Sequence, residues 1–179
     1  MKKNVLVCGL IGGAWLSIML VYSIYLCYTR ESFDGNMVLG FASMILAFSL
    51  IFIAVRNYRN KYNGGVITFG KAFKIGLYIA LIASSMYVLT WVIDYYLFVP
   101  DFMEKFTAHS IKIAESKGAS PAEIAEKAKE MAWYKDAYKN PLMVVLLTYL
   151  EVFPLGLIIA LIAALILKRK HKKEVVVTN

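Results

Sequence analysis

Two acidic residues, Asp94 and Glu151, lie inside long apolar segments of this sequence and are its clearest candidates for chemistry. Glu151 falls about nine residues, or about 14 Å, into its segment, and Asp94 about five residues, or about 7 Å. A charged side chain at the centre of a bilayer costs at least about 2.5–3.5 kcal/mol. The apolar segments contain no Lys or Arg that would neutralise it.

Glu151 has three interpretations that the sequence leaves open. In the first, the carboxyl group is a proton- or cation-responsive site. In the second, its protonated form donates a hydrogen bond to Tyr22, to Tyr87 or to an exposed carbonyl of a neighbouring helix. In the third, a partner protein supplies the opposite charge. For Asp94, snorkelling or a water-filled mouth would satisfy the carboxyl group without a functional role.

Pro154 and Gly156 follow Glu151 within about one helical turn. A proline inside a helix removes one backbone hydrogen bond and displaces the carbonyl four residues earlier, here that of Leu150. We therefore predict a kink, a free carbonyl and a carboxyl group together near mid-membrane, which suits an ion-coordinating or proton-handling site. The candidate intramembrane polar site comprises Glu151, Pro154, Gly156 and Asp94.

The rest of the sequence offers no catalytic constellation. His109 and His171 have no cysteine or acidic residue at metal-ligand spacing, and nucleophile elbows and nucleotide-binding loops are missing. Cys8 and Cys27 are too far apart on one helix to form a disulfide, so we predict inert packing thiols. We predict no catalytic, cofactor-binding or metal-binding residues, and a protein that is not an enzyme.

The apolar segments around the two acids define the fold. Of the 179 residues, 60% are hydrophobic, above the roughly 45–50% of soluble domains, and the mean hydropathy is +0.61. Four apolar blocks each have about the 20 residues that cross about 30 Å of hydrocarbon as an α-helix. The predicted spans are residues 5–28, 37–55, 75–99 and 142–167. The sequence thus predicts an all-α polytopic four-helix bundle that forms one membrane domain over residues 1–179.

Basic residues are distributed unequally between the two sides of this bundle. The net charge of +8 is concentrated at the N-terminus, in the 56–74 loop and in the tail over residues 168–179. The other side has Arg30 and a long loop in which seven lysines are matched by seven acidic residues. The positive-inside rule therefore places both termini in the cytoplasm of a bacterial plasma (inner) membrane. Because the Lys and Arg residues form short clusters beside the spans, they also argue against a nucleic-acid partner, which would need a basic groove or stripe.

The loop between the third and fourth spans, about residues 101–138, is the only extramembrane segment large enough to fold. Its first half places four side chains on one helical face, and Gly118 suits a C-terminal cap. These four residues are Phe102, Phe106, His109 and Ile113. Ser120-Pro121-Ala122-Glu123 then has the pattern of an N-cap, a first-turn proline and a capping box. We predict an amphipathic helical hairpin that packs on the bundle's mouth or on the outer lipid surface.

Small residues recur at four-residue spacing in three of the spans, a pattern that lets helices approach closely. The stripes are Gly9/Gly13/Ser17, Gly76/Ala80/Ser84 and Gly156/Ala160/Ala164. We interpret them as packing seams within the bundle, with a homodimer face as the alternative. Before the third span, residues 64–74 follow a Gly-Gly break and predict a short interfacial lead-in to the third helix.

Six motifs follow one another along essentially the whole chain. They are Gly9-Leu10; the run from Gly40 to Tyr58 that ends in Val55-Arg56-Asn57-Tyr58-Arg59; Gly64-Gly65 with Thr68-Phe69-Gly70-Lys71-Ala72; Pro100-Asp101-Phe102; Tyr138-Lys139-Asn140-Pro141-Leu142; and Glu151-Val152-Phe153-Pro154-Leu155-Gly156. In this order they resemble an uncharacterised family of small bacterial four-span membrane proteins, a domain-of-unknown-function family. The typical family member has an acidic residue before the glycine of the second helix, where this chain reads Asn36-Met37-Val38-Leu39-Gly40. The resemblance implies a fold and a membrane location and supplies no activity.

Two functions follow as expectations. The favoured one is a non-enzymatic accessory or assembly component that acts through protein or lipid contacts, with a membrane-protein partner or a second copy of the chain beside the lipid bilayer. The basic tail supplies candidate lipid-headgroup contacts, which are Lys168, Arg169, Lys170, Lys172 and Lys173. The alternative is a small oligomeric transporter or channel with a proton- or cation-responsive site at Glu151 near the Pro154 kink.

Overall fold

A computed structural model describes residues 2–30, 33 and 37–169 of the chain, and in these ranges every regular element is helical. The elements are α1 (Lys2–Thr29), α2 (Met37–Asn57), a π-helical turn (Tyr58–Tyr62), α3 (Phe69–Leu97), α4 (Phe102–Ser116), α5 (Pro121–Ala137) and α6 (Pro141–Leu167). The predicted all-α architecture, with two shorter helices between the third and fourth long ones, is confirmed.

Helices α1, α2, α3 and α6 are each long and apolar enough to cross a membrane, and each overlaps one predicted span. The third helix begins earlier than the sequence predicted, because the Thr68 hydroxyl accepts a hydrogen bond from the Lys71 N–H and caps the helix there. The lead-in to the third helix that was predicted over residues 64–74 therefore has two parts. Its second half is the start of α3, whereas Gly64 and Gly65 have φ of +60° and +81° and turn the chain before it.

The four long helices form a bundle in which α3 packs against α1 and α6, and α2 packs against the other sides of the same two helices. The small-residue stripes lie at these contacts. A Cβ atom added at Gly9 would lie 2.9 Å from Ile82 of α3, and one added at Gly156 would lie 2.9 Å from the Ala80 Cβ atom. The interpretation of the stripes as packing seams is confirmed for these positions.

Hydrogen bonds between side chains and neighbouring helices supplement this packing. The Asn4 amide donates to the Ala54 carbonyl at 2.8 Å and joins α1 to α2. The Thr90 hydroxyl donates to the Ser17 hydroxyl at 2.8 Å and joins α3 to α1. Such bonds inside membrane bundles contribute on average about 0.6 kcal/mol each, so they position the helices more than they hold them together.

The hairpin of α4 and α5 covers one end of the bundle. Gly118 has φ of +75° and turns the chain between the two helices of the hairpin, in agreement with its predicted role as a C-terminal cap. Phe102 contacts Trp91 of α3 edge to face at 5.0 Å between ring centroids, and Met103 and Met131 are buried. Of the two predicted placements for the hairpin, the structure therefore has the one on the mouth of the bundle.

Asp101, the N-cap residue of α4, fastens this end of the hairpin to α1. Its carboxylate accepts a hydrogen bond from the Tyr28 hydroxyl at 2.6 Å and pairs with Lys105 at 2.8 Å. Lys105 first, and then Tyr28, hold the pKa of the Asp101 carboxyl group below its usual range. The connection joins the C-terminal end of α1 to the first turn of α4.

The predicted capping box at the start of α5 is present. The Ser120 N–H and hydroxyl both donate to one Glu123 carboxylate oxygen, at 2.7 and 2.8 Å, and the Glu123 N–H donates to the Ser120 hydroxyl oxygen at 3.4 Å. Replacing such an N-cap serine with alanine costs a helix about 0.5–2 kcal/mol.

We expect the capping box to make the stability of α5 depend on pH in acid. The Ser120 N–H, and then the Ser120 hydroxyl, lower the pKa of Glu123 from its usual value of 4.5. A carboxyl group with a lowered pKa stabilises the fold above its unfolded pKa, and this contribution is lost as the pH falls through the folded value. Amide hydrogen-exchange protection in the first turn of α5 should therefore fall below pH 4.5. Glu123→Gln keeps an amide that can complete the box but does not titrate, so an acid-dependent loss that persisted in it would contradict this origin.

Candidate functional site

A cavity of about 310 Å³ lies between the hairpin and the halves of α1, α3 and α6 that are next to it. Its volume is at the lower end of the roughly 300–1,000 Å³ range of small-molecule sites. The residues that line it are Leu20, Ile24, Tyr87, Trp91, Phe102, Met103, Phe106, Tyr134, Tyr138, Thr148 and Glu151. Five of the six α-helices contribute to this lining, and α2 does not.

Glu151 occupies the deepest position of α6 in this lining. It lies ten residues after Pro141, the first residue of α6, or about 15 Å along the helix axis. That depth is about half of the roughly 30 Å hydrocarbon thickness. Protein atoms surround the carboxyl group on most sides, and the residue, which is exposed as a whole, lines the cavity. An acidic side chain at mid-membrane depth is thus open to an internal space.

Thr148 stands one turn before Glu151 on the same face of α6 and is almost completely buried. Its hydroxyl group donates to the Val144 carbonyl at 2.7 Å, and its oxygen can still accept hydrogen bonds. The three-residue spacing between Thr148 and Glu151 places both polar groups on the cavity wall.

Two tyrosines continue the polar surface from Glu151 toward the hairpin. The Tyr87 hydroxyl group of α3 is close enough to the Glu151 carboxyl group for the two to interact. The Tyr138 hydroxyl group, at the end of α5, lies within range of the Trp91 indole and of Thr148. Burial raises the pKa of Tyr138; the Trp91 hydrogen bond opposes this increase and the nearby Glu151 adds to it.

The remaining walls are aromatic and aliphatic. Tyr138 contacts Tyr95 edge to face at 5.2 Å between ring centroids, while Phe102 and Phe106 stack at 5.7 Å on the hairpin side. These rings, together with Ile24 and Met103, belong to or pack against a separate apolar cluster at the hairpin end of the bundle. The cavity therefore combines one carboxyl group and several hydroxyl groups with a largely aromatic surface.

The structure does not bring the predicted polar site together as one unit. Helix α6 is unbroken from Pro141 to Leu167, with Pro154 inside it on the exposed surface of the bundle. Gly156 is buried where a Cβ atom would lie 2.8 Å from the Phe48 ring. Of the predicted set, Glu151 alone lines the cavity, because Pro154 and Gly156 project from other faces of the helix.

Asp94 also lies apart from the cavity. It is three residues from Leu97, the last residue of α3, so it is nearer the helix end than the sequence indicated. One carboxylate oxygen, Oδ2, is buried without a hydrogen-bond partner among the described residues. Asp94 is close enough to Tyr28 to influence it electrostatically, which places it at the hairpin end of the bundle.

Sequence reasoning named Glu151 and Tyr87 but missed Thr148 and Tyr134 as site residues. The signal was the spacing, since Thr148–Glu151, Tyr87–Trp91 and Tyr134–Tyr138 each lie three or four residues apart on one helical face. Tyr22, the other proposed partner of Glu151, instead lines a shallow apolar groove with Ser17 and Thr90.

The predicted lipid-headgroup residues are described only in part. Lys168 and Arg169 are exposed, and the Arg169 backbone exchanges two hydrogen bonds with Ile67, at 2.8 and 3.0 Å. The other three residues, Lys170, Lys172 and Lys173, lie outside the described residues. Cys8 and Cys27 are both free thiols, in agreement with the prediction that they do not pair.

The structure defines a polytopic helical membrane protein. It has four apolar helices of membrane-spanning length, a hairpin at one end of the bundle, and a cavity lined by Glu151. The profile of one family, described as Protein of unknown function (DUF4199), matches residues 8–169. The chain therefore belongs to this family, which confirms the resemblance found in its motifs. Comparison with curated proteins and with solved structures finds no match.

Proposed function

We propose that this membrane protein binds a proton or a cation at Glu151, as a small transporter or channel would. The observation that carries the proposal is the exposure of the Glu151 carboxyl group to the cavity at mid-membrane depth. Intramembrane acids that face a cavity mark ion and proton pathways. Four helices are few for a monomeric transporter, so the proposal includes an oligomer. The role is non-enzymatic and requires no cofactor.

Replacing Glu151 with glutamine tests this proposal, because the amide is similar in shape and cannot ionise. We expect Glu151→Gln to abolish proton or cation flux into proteoliposomes, while expression and melting temperature stay normal. Asp94→Asn is the matched control, since it neutralises the other carboxyl group in the long helices but does not alter the cavity. Full flux in Glu151→Gln would contradict the proposal, and misfolding of that variant would favour a structural hydrogen bond instead.

A second candidate function is an accessory or assembly component that contacts another membrane protein. It is favoured by the hairpin, whose Trp133 side chain is 53% exposed. Large exposed aromatic side chains are enriched at protein interfaces. Crosslinking in intact membranes and gentle solubilisation should then recover a defined partner through the hairpin. Repeated recovery of a monomer or a homodimer alone would count against it.

We also propose a bacterial plasma-membrane location with both termini in the cytoplasm. The support is the excess of Lys and Arg at the termini and in the 56–74 loop. Fluorescent-protein and alkaline-phosphatase fusions after Asn179 distinguish the two sides. Fluorescence without phosphatase activity is expected, and the reverse pattern would invert the topology.

A further inference from the structure

The charge of the cavity lining restricts what the cavity can bind. Among the described residues that line it, Glu151 carries the only formal charge, and Lys, Arg and His do not contribute. An anionic ligand would meet an uncompensated carboxylate in a low-dielectric space, which is strongly unfavourable. A neutral apolar ligand would leave the Glu151 carboxyl group without an opposite charge in the same space. A cation satisfies the carboxyl group directly.

The lining does not suit a bare metal ion. Hard cations such as Ca²⁺ and Mg²⁺ require about six or more oxygen ligands, including several carboxylates or carbonyls. The described part of the chain has no group of three acidic, histidine or cysteine side chains that could hold a metal ion. The cavity is also much larger than a dehydrated ion needs, at about 310 Å³ against about 30 Å³ for one water molecule.

The aromatic walls match a different class of cation. Six of the eleven lining residues are aromatic, namely Tyr87, Trp91, Phe102, Phe106, Tyr134 and Tyr138. The faces of such rings attract organic ammonium groups, whose charge is spread over apolar substituents and is weakly hydrated. Aromatic cages around a carboxylate are the usual recognition sites for quaternary ammonium ligands.

We propose that the cavity binds an organic ammonium ion, with its charged head between Glu151 and the tyrosine rings and its apolar part between α1 and the hairpin. This inference rests on the proposed function, because it names the class of cation that Glu151 binds. The aliphatic and aromatic surface of Leu20, Ile24 and Phe106 accommodates the apolar part. The hydroxyl groups of Tyr87 and Thr148 are available to polar substituents of the head.

Radiolabelled benzyltrimethylammonium provides the probe, with binding measured on the full-length protein in lipid nanodiscs. We expect saturable binding that unlabelled choline displaces and that 3,3-dimethylbutan-1-ol, its uncharged analogue of the same shape, does not. Glu151→Gln should weaken binding at least about tenfold, and Asp94→Asn should bind like the wild type. Tyr134→Leu should weaken binding more than Tyr134→Phe, because phenylalanine keeps the ring face.

The outcomes separate this inference from the proposed function. If benzyltrimethylammonium does not bind while Glu151-dependent flux of protons or sodium persists, the proposed function stands and the organic ammonium assignment is wrong. If the uncharged alcohol displaces the probe as well as choline does, the cavity is an apolar lipid pocket and the assignment is also wrong. If neither binding nor flux depends on Glu151 in a variant that melts normally, both proposals are wrong.

Discussion

Replacing Gly76 with leucine is expected to lower the melting temperature and the yield of folded protein severely. A Cβ atom at this position would lie 2.7 Å from the Ala160 Cβ atom and 3.1 Å from the Ala160 Cα atom. Because part of the obstruction is backbone of α6, the two helices must separate to accept even one added carbon. Overpacking of this kind typically costs about 1–3 kcal/mol, and the leucine side chain adds further atoms at this close contact between α3 and α6.

Gly40 supplies the matched control. It lies in α2, with no atom within 4 Å of an added Cβ atom. Gly40→Leu should leave the melting temperature unchanged or raise it slightly, because glycine in a helix interior is less favourable than other residues by about 0.5–1 kcal/mol. Size-exclusion thermal stability assays in one detergent compare both variants. Equal melting temperatures would contradict the close α3–α6 approach.

The second large effect is expected for Trp91→Ala, which should loosen the hairpin from the bundle. Trp91 is 5% exposed and contacts Phe102 at 5.0 Å and Tyr95 at 5.7 Å between ring centroids. Truncation of a buried tryptophan typically costs about 3–5 kcal/mol. Because α4 docks through this residue, the loss should be local, and amide hydrogen exchange in α4 and α5 should accelerate far more than in α2.

Trp133→Ala separates this effect from the general loss of a tryptophan. Trp133 lies on α5 of the hairpin, and its side chain is 53% exposed. Exposed substitutions away from special features usually change stability by less than about 0.5 kcal/mol. Hydrogen exchange in the hairpin should therefore match the wild type in Trp133→Ala. Similar exchange rates in both tryptophan variants would contradict the docking role of Trp91.

The features predicted correctly from the sequence are those that local physics determines. Span lengths follow from the bilayer thickness, and the ends of the hairpin helices follow from the Ser120–Glu123 capping box and Gly118. The early start of α3 was not predicted, because the Gly-Gly break was a stronger signal in the sequence than Thr68. The cap that Thr68 forms is a single weak hydrogen bond of 3.4 Å.

The cavity was not predictable in the same way, because it depends on how five helices meet. The sequence marked Glu151 as costly in a membrane, but it could not show which face of α6 meets the hairpin. Proximity along the chain was also misleading, since Pro154 and Gly156 are neighbours of Glu151 in sequence and lie on other faces of the helix. Residues from α3 and α5 complete the site instead.

The positions of Leu150, Glu151 and Val152 allow the accessibility of the cavity to be measured directly. Leu150 is 69% exposed on the outer surface of α6, Val152 is 0% exposed, and Glu151 faces the cavity between them. Single cysteines at these positions, with Cys8 and Cys27 replaced by alanine, report which side chains meet water. The reagent is a positively charged methanethiosulfonate, which is soluble in water and poorly soluble in lipid.

We expect this reagent, added from the outer side of intact membranes, to label Glu151→Cys and to leave Leu150→Cys and Val152→Cys unlabelled. The labelling experiment does not use benzyltrimethylammonium, so it tests whether the site is accessible independently of which ligand binds there. Labelling of Glu151→Cys no faster than that of Val152→Cys would contradict a cation-accessible cavity at Glu151.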